Sequence, residues 1–207
     1  SGSIGGYSNG SGSSITQTLT NSGTTNGTVT YTITPTAAGC PGASIQVVVT
    51  VKPTPNAIAT PSISTICSGA TSNVALTSGV AGTTFAWTAS SGNPQVSGYS
   101  ASSGATIAQT LTNSGSVQGT VTYTVTPTAA SCVGPTTTAT VNVNPLPQGQ
   151  IGGTTAICNG GSTNLTFSFL SGTPPYDVVY SNGSNTFFLN DINSGHQVAV
   201  SPTSTTT

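Results

Sequence analysis

Residues 119–132 read GTVTYTVTPTAASC and residues 27–40 read GTVTYTITPTAAGC, so one phrase occurs twice, 92 residues apart, with only Val125 for Ile33 and Ser131 for Gly39 exchanged. From Thr120 to Thr126 the apolar residues Val121, Tyr123 and Val125 alternate with threonine. That is the period-two pattern of a strand with one face buried and one face in water. Threonine suits the outer face, because its branched Cβ favours extended backbone and its hydroxyl is solvated. Disorder is the first expectation for a chain so rich in Ser, Thr and Gly, but it does not require such alternation. Neither copy holds a charged side chain, so the repetition preserves architecture and not an acid, a base or a phosphate clamp.

The repeat extends well beyond this phrase. Tyr7–Pro55 aligned with Tyr99–Pro147 gives 29 identities in 49 positions, including QTLTNSG starting at Gln17 and at Gln109. A third register follows, in which Ile66-Cys67 returns as Ile157-Cys158 and Asn73 as Asn164, 91 residues on. The expected organisation is the C-terminal part of one repeat over 1–55, a complete repeat over 56–147 and the N-terminal part of a different β-sandwich repeat over 148–207, in a stretch of a longer array. Within the complete copy, strands are expected at Ile58–Ile63, Asn73–Thr77, Thr83–Thr88, Val96–Tyr99, Thr106–Thr112, Thr120–Thr126 and Thr137–Val143, separated by Gly-, Ser-, Asn- and Pro-rich turns. Seven short strands without helical periodicity predict an all-β fold of tandem immunoglobulin-like β-sandwich domains forming an elongated rod. Trp87 is then a core residue, with sugar stacking the competing role. KPTP from Lys52 and NPLP from Asn144 join the copies; paired prolines stiffen such junctions.

Charge excludes whole classes of function. Only Lys52, Asp177 and Asp191 are charged, 1% of the 207 residues, and Glu, Arg and Met are absent. A typical soluble chain is about a quarter charged. One lysine cannot neutralise a nucleic-acid backbone. Calcium clamps between the first copies are excluded as well, because the first acidic residue is Asp177 and calcium asks for several carboxylate oxygens. Asp191-Ile-Asn-Ser-Gly195 resembles the opening of a calcium loop, but no glutamate follows to close it, and a polar turn is expected there. A hydrolytic triad would have to join His196 to Asp177 or Asp191, and a glycosidase pair would have to be those two aspartates; turn and surface positions explain these residues more simply. No cofactor or metal is expected, and no run of 18 apolar residues offers a membrane span.

The repeat sorts the four cysteines. Cys40 is equivalent to Cys132, and Cys67 to Cys158, so each copy owns one early and one late cysteine and only Cys67 and Cys132 share a complete copy. An intradomain Cys67–Cys132 disulfide is expected, with Cys40 and Cys158 left for partners outside the chain. Closing a loop of 65 residues contributes up to about 4 kcal/mol by chain entropy, and disulfides imply an exported protein. Zinc is the rival use, but no CxxC spacing occurs and His196 is the sole histidine. The third stretch differs in texture: it holds Phe167, Phe169, Tyr176, Tyr180, Phe187 and Phe188, and any ligand contact is expected there first.

ICSGATSNVALTS from Ile66, AGTTFAWTAS from Ala81, GTVTYTVTPTAASC from Gly119 and the closing VNVNP resemble the PKD-like repeats of giant SprB-like gliding adhesins on the surface of Bacteroidetes. The third stretch, with TPPYDVVYSNG and INSGHQVAVSPTSTTT, is similar to another repeat type of the same proteins. The chain departs from ordinary PKD domains in lacking an acidic WDFGDG-type motif, since Thr88-Ala89-Ser90 follows Trp87. The resemblance implies export by the type IX secretion system to the outer-membrane surface, display as a filament, and motility machinery and external surfaces or polysaccharides as partners of other parts of the protein. A structural stalk is the expected function; a polysaccharide-binding accessory module of a secreted enzyme is the alternative.

Overall fold

The computed structural model describes residues 3–154 and 156–202, and within them every regular element is a strand. The middle segment holds the largest buried core, between two sheets. Its strands are preceded by β1 (Ile4–Gly5), β2 (Thr20–Asn21), β3 (Gly27–Ile33), β4 (Thr36–Ala37), β5 (Cys40–Pro41) and β6 (Ile45–Val51) of the first segment. They run β7 (Ile58–Thr60), β8 (Ile63–Cys67), β9 (Val74–Thr77), β10 (Thr84–Ser91), β11 (Val96–Ser97), β12 (Ser102–Ser103), β13 (Thr106–Ile107), β14 (Thr112–Asn113), β15 (Gly119–Ala129), β16 (Cys132–Val133) and β17 (Thr137–Asn144). One sheet has the order β12-β10-β15-β17-β8, with β16 attached to β15; the facing sheet is β13-β9-β7. The arrangement is immunoglobulin-like.

β15 carries the fold. Gly119, Val121, Tyr123, Val125, Pro127 and Ala129 are buried while every intervening threonine faces outward. Val121, Tyr123 and Val125 meet Val141, Ala139 and Thr137 across β17, and β10 pairs on the other side, bringing Trp87 opposite Val125. Val74, Leu76 and Ile107 supply the facing wall of the core. Burying five side chains of this size contributes on the order of 10 kcal/mol before chain entropy is subtracted.

Two expected strands are divided. Ile58–Ile63 splits at Pro61: β7 pairs antiparallel with β9 in one sheet, and β8 pairs parallel with β17 in the other. Proline has no N–H to give a ladder, so the chain changes sheets there. Thr106–Thr112 likewise divides into β13, which pairs with β9, and β14, which pairs with β11, and Thr110 between them forms an isolated bridge with Thr71. Ile63–Cys67 was not expected to be a strand; without β17 beside it, its parallel pairing has no local signature.

In the first segment β3 pairs with β6 over seven residues, Gly27 opposite Val51 and Ile33 opposite Ile45. The third segment comprises β18 (Gln148–Gly152), β19 (Thr163–Ser171), β20 (Tyr176–Ser181), β21 (Thr186–Ile192) and β22 (His196–Val200), in a β18-β19-β22 sheet and a β20-β21 pair. Strand pairing keeps within each of the three segments throughout the described residues. No helix is long and apolar enough to cross a membrane.

Candidate functional site

The repeated QTLTNSG motif is polar wiring. Gln109 Nε2 donates to the Ser100 carbonyl at 2.9 Å, its Oε1 accepts from the Ser100 N–H at 3.0 Å, and the Tyr123 hydroxyl donates to the same oxygen at 2.9 Å. Gln17 repeats this with Ser8 and Tyr31, at 2.7 Å to the Ser8 carbonyl and 2.8 Å from the Tyr31 hydroxyl. Asn113 Nδ2 donates to the carbonyls of Val117 and Val143, both at 2.8 Å, while its Oδ1 caps the Gly115 N–H at 2.9 Å. Asn21 does the same for Thr25, Val51 and Gly23. Burial pushes the Tyr123 phenol above its ordinary value near 10, with a Ser72 hydrogen bond pulling it slightly back. Sequence reading recognised these residues as identities without assigning them a role; an amide repeated beside a repeated tyrosine was the available signal.

Cys67 and Cys132 are unbonded, as are Cys40 and Cys158. Cys67 is the register partner of Asn144 at one end of the large sheet, and Cys132 is the partner of Ala129 at the other. Val143 pairs with Gly119, ten residues before Ala129, and at ~3.3 Å per residue that is about 33 Å. A disulfide needs Cα atoms within about 7 Å. The expectation of an intradomain Cys67–Cys132 bond is corrected by this geometry: early and late cysteines occupy opposite poles of one sandwich.

Trp87 is buried in the core, 6% exposed, with Nε1 lacking a hydrogen-bond partner. It offers no face to a sugar. Asp177 and Asp191 come together on β20 and β21, but through the Asp191 backbone N–H donating to Asp177 Oδ1 at 3.0 Å, a cross-strand contact at the register shift between the two strands. His196 lies on the other sheet of that segment, its N–H donating to the Asn193 carbonyl at 3.2 Å in the turn from Asn193. Residues 6–10, GYSNG, match the Gly-x-Ser-x-Gly pattern of a hydrolase nucleophile elbow, but no helix follows, and the Ser8 hydroxyl accepts from Gln17 Nε2 at 3.1 Å. Among the described residues no three His, Cys, Asp or Glu side chains gather as a metal set.

The third segment keeps its aromatics close. Phe169 stacks on Tyr176 with ring centres 3.9 Å apart, and Tyr180 stacks on Phe187 at 5.0 Å and tilts against Phe167 at 5.7 Å. Phe167 is buried, whereas Phe188 is 68% exposed. A cavity of about 330 Å³ opens between β18, β19 and β20, lined in part by Phe167, Phe169, Asp177 and Tyr180.

The segments also meet end to end. Lys52 Nζ donates to the Ala130 carbonyl at 3.0 Å, and Pro55, fully buried, has its carbonyl so close to Gly134 that a Cβ there would collide with it. Thr24 packs against Gly79 at this junction. At the next one Ser116, its repeat equivalent, lines a groove with Leu170 and Ser171, and the Ser171 hydroxyl donates to the Leu146 carbonyl at 2.7 Å.

Compared with known families, the chain matches the profile described as PKD-like domain over residues 2–55 and 64–147. No curated protein matches it significantly. PKD-like domains are typically extracellular, non-catalytic modules of structural or adhesive type. The alternating strands, the paired sheets and the duplicated Gln–Tyr and Asn wiring agree with that match, and the chain belongs to the PKD-like domain family.

Proposed function

We propose that this chain is part of the stalk of a filamentous cell-surface adhesin, a spacer that carries an adhesive tip away from the cell, with gliding motility and surface attachment as its setting. One observation carries the reading: the side chains conserved between the two copies, Gln17 and Gln109, Tyr31 and Tyr123, Asn21 and Asn113, spend their polar atoms on holding the sandwich together. What is multiplied is therefore length. A strand of seven or eight residues rises about 25 Å, so each sandwich with its end loops adds roughly 40 Å. The near absence of charge suits a tethered filament better than a free monomer, which lacks repulsion between copies. The one lysine precedes Pro53 and there is no arginine, so trypsin-like proteases are left no ordinary site. Type IX export, outer-membrane association and partnership with secretion and motility machinery belong to the same proposal and rest on the resemblance to gliding adhesins.

The second reading is a polysaccharide-binding accessory module of a secreted enzyme, favoured by exposed Phe188 and the stacked Tyr180 and Phe187. Electron microscopy of the full-length protein and glycan screening of this chain separate the two. Extended filaments with no saturable glycan binding are expected; a compact particle, or tight binding abolished by Phe188→Ala, puts the accessory module first.

A further inference from the structure

We propose that the cysteines of this repeat staple successive repeats to one another, the early cysteine of one repeat, the Cys67 position, bonding to the late cysteine of the next, the Cys132 position. The inference rests on the reading of the chain as tandem spacer repeats. Cys67 stands at the pole from which the chain leaves the middle sandwich: the Ser68 N–H donates to the Asn144 carbonyl at 2.8 Å, immediately before Pro145. Cys132 stands at the pole where the chain enters, in the hairpin whose Ala130 carbonyl receives Lys52 Nζ and whose Gly134 abuts Pro55. Stacking such repeats head to tail brings an early pole against a late one.

The first junction locates the pair more closely. Lys52 is the repeat equivalent of Asn144, and Asn144 is the parallel register partner of Cys67. In-register residues on neighbouring strands point to one face, and neighbouring strands lie ~4.8 Å apart. The early cysteine of a complete first repeat therefore stands one strand from Lys52, on the face from which Lys52 reaches Ala130, two residues from Cys132. The early cysteine also keeps its local setting in the divergent third segment: the Gly161 N–H donates to the Cys158 carbonyl at 2.9 Å, as Ala70 does to Cys67 at 3.0 Å. Both cysteine positions are solvent-accessible, Cys67 exposed and Cys132 half-buried. Bonding removes two protons and two electrons from the thiols; the electrons reduce the disulfide of an exported thiol–disulfide oxidoreductase to its dithiol through a mixed disulfide.

The test adds Asn56–Gly92 directly before Ser1 of the full chain, because Ser1 aligns with Asn93 and the addition completes the first repeat from the protein's own sequence. Two versions are exported to an oxidising compartment and mapped by non-reducing pepsin digestion. In one, Cys67→Ser leaves the added copy as the early cysteine; in the other, the added copy carries serine and Cys67 is intact. A bond to Cys132 is expected in the first and not in the second. No bond in the first, a bond to Cys132 in the second, or dimers linked through Cys132 overturns the staple. In the unextended chain, Lys52→Cys is expected to be bridged to Cys132 by a short bis-maleimide while Cys67 is not; failure of that bridge overturns the placement. Thiol mapping is independent of filament shape and glycan binding, so a rod with free thiols sinks only the staple, and stapled repeats that bind glycan tightly sink only the spacer.

Discussion

The Tyr123 hydroxyl donates to Gln109 Oε1 across 2.9 Å from a fully buried ring, and the Tyr31 hydroxyl donates to Gln17 Oε1 across 2.8 Å from a half-buried one. The same bond thus sits in two dielectric settings. Tyr123→Phe is expected to cost about 1–2 kcal/mol and Gln109→Ala about 2–3 kcal/mol, since the latter strands a buried phenol. Tyr31→Phe is expected to cost under about 1 kcal/mol. Urea unfolding followed by Trp87 fluorescence measures the first two, and hydrogen exchange across β3 the third. Equal costs for both tyrosines would contradict the burial argument.

The same phenol sets an alkaline limit. Burial holds the Tyr123 proton more tightly in the folded state than in the unfolded chain, so its contribution is complete below the unfolded value near 10 and is lost as pH rises through the higher folded value. Melting temperature is therefore expected to fall above about pH 10, and Tyr123→Phe is expected to flatten that fall. A wild-type and mutant pair that decline in parallel would assign the loss to another group.

Three glycines separate strain from contact. Gly98 has φ +91° and a Cβ there would strike the Thr110 carbonyl; Gly134 would strike the Pro55 carbonyl; Gly92 has nothing within 4 Å. Alanine at Gly98 is expected to cost about 2–4 kcal/mol through backbone strain and collision together. At Gly134 it is expected to cost about 1–3 kcal/mol and to speed acylation of the Lys52 amine, released from the Ala130 carbonyl as the junction is pushed apart. Gly92→Ala is expected to fall within about 0.5 kcal/mol of wild type. An unchanged rate of Lys52 acylation in Gly134→Ala would remove the junction contact from the account.

With three charged side chains in 207 residues, screening has almost nothing to act on. Melting temperature is expected to move by less than about 1 °C between 20 and 200 mM NaCl, and equally little on adding a chelator. A drop of many degrees with chelator would reveal a metal site.

Trp87 reports on the core and on the sugar question at once. Trp87→Ala is expected to cost about 3–5 kcal/mol, and Trp87 fluorescence is expected to stay blue-shifted and unresponsive to polysaccharides. Quenching by a glycan would place a ligand at a side chain only 6% exposed.

Much of the sandwich was legible because period-two alternation in β15 reports directly which face is buried. The division at Pro61 was legible in principle, since proline cannot serve a continuous ladder, whereas the parallel pairing of Ile63–Cys67 with Thr140–Asn144 joins segments more than 70 residues apart and leaves no local mark. The cysteine pairing failed for the same reason: spacing ranks which cysteines share a repeat but carries no information about which pole each occupies.

Sequence by itself determined the all-β class, the repeat and the core role of Trp87, because these follow from side-chain type and local period. Tertiary structure alone decided burial. Ile58 and Ile63 are apolar strand residues that stay 51% and 66% exposed, whereas Val74 and Ile107, no more apolar, are fully buried. A strand's pattern declares which face seeks cover, but the area actually removed from water depends on what stands opposite it, and that is a property of the assembled sheets.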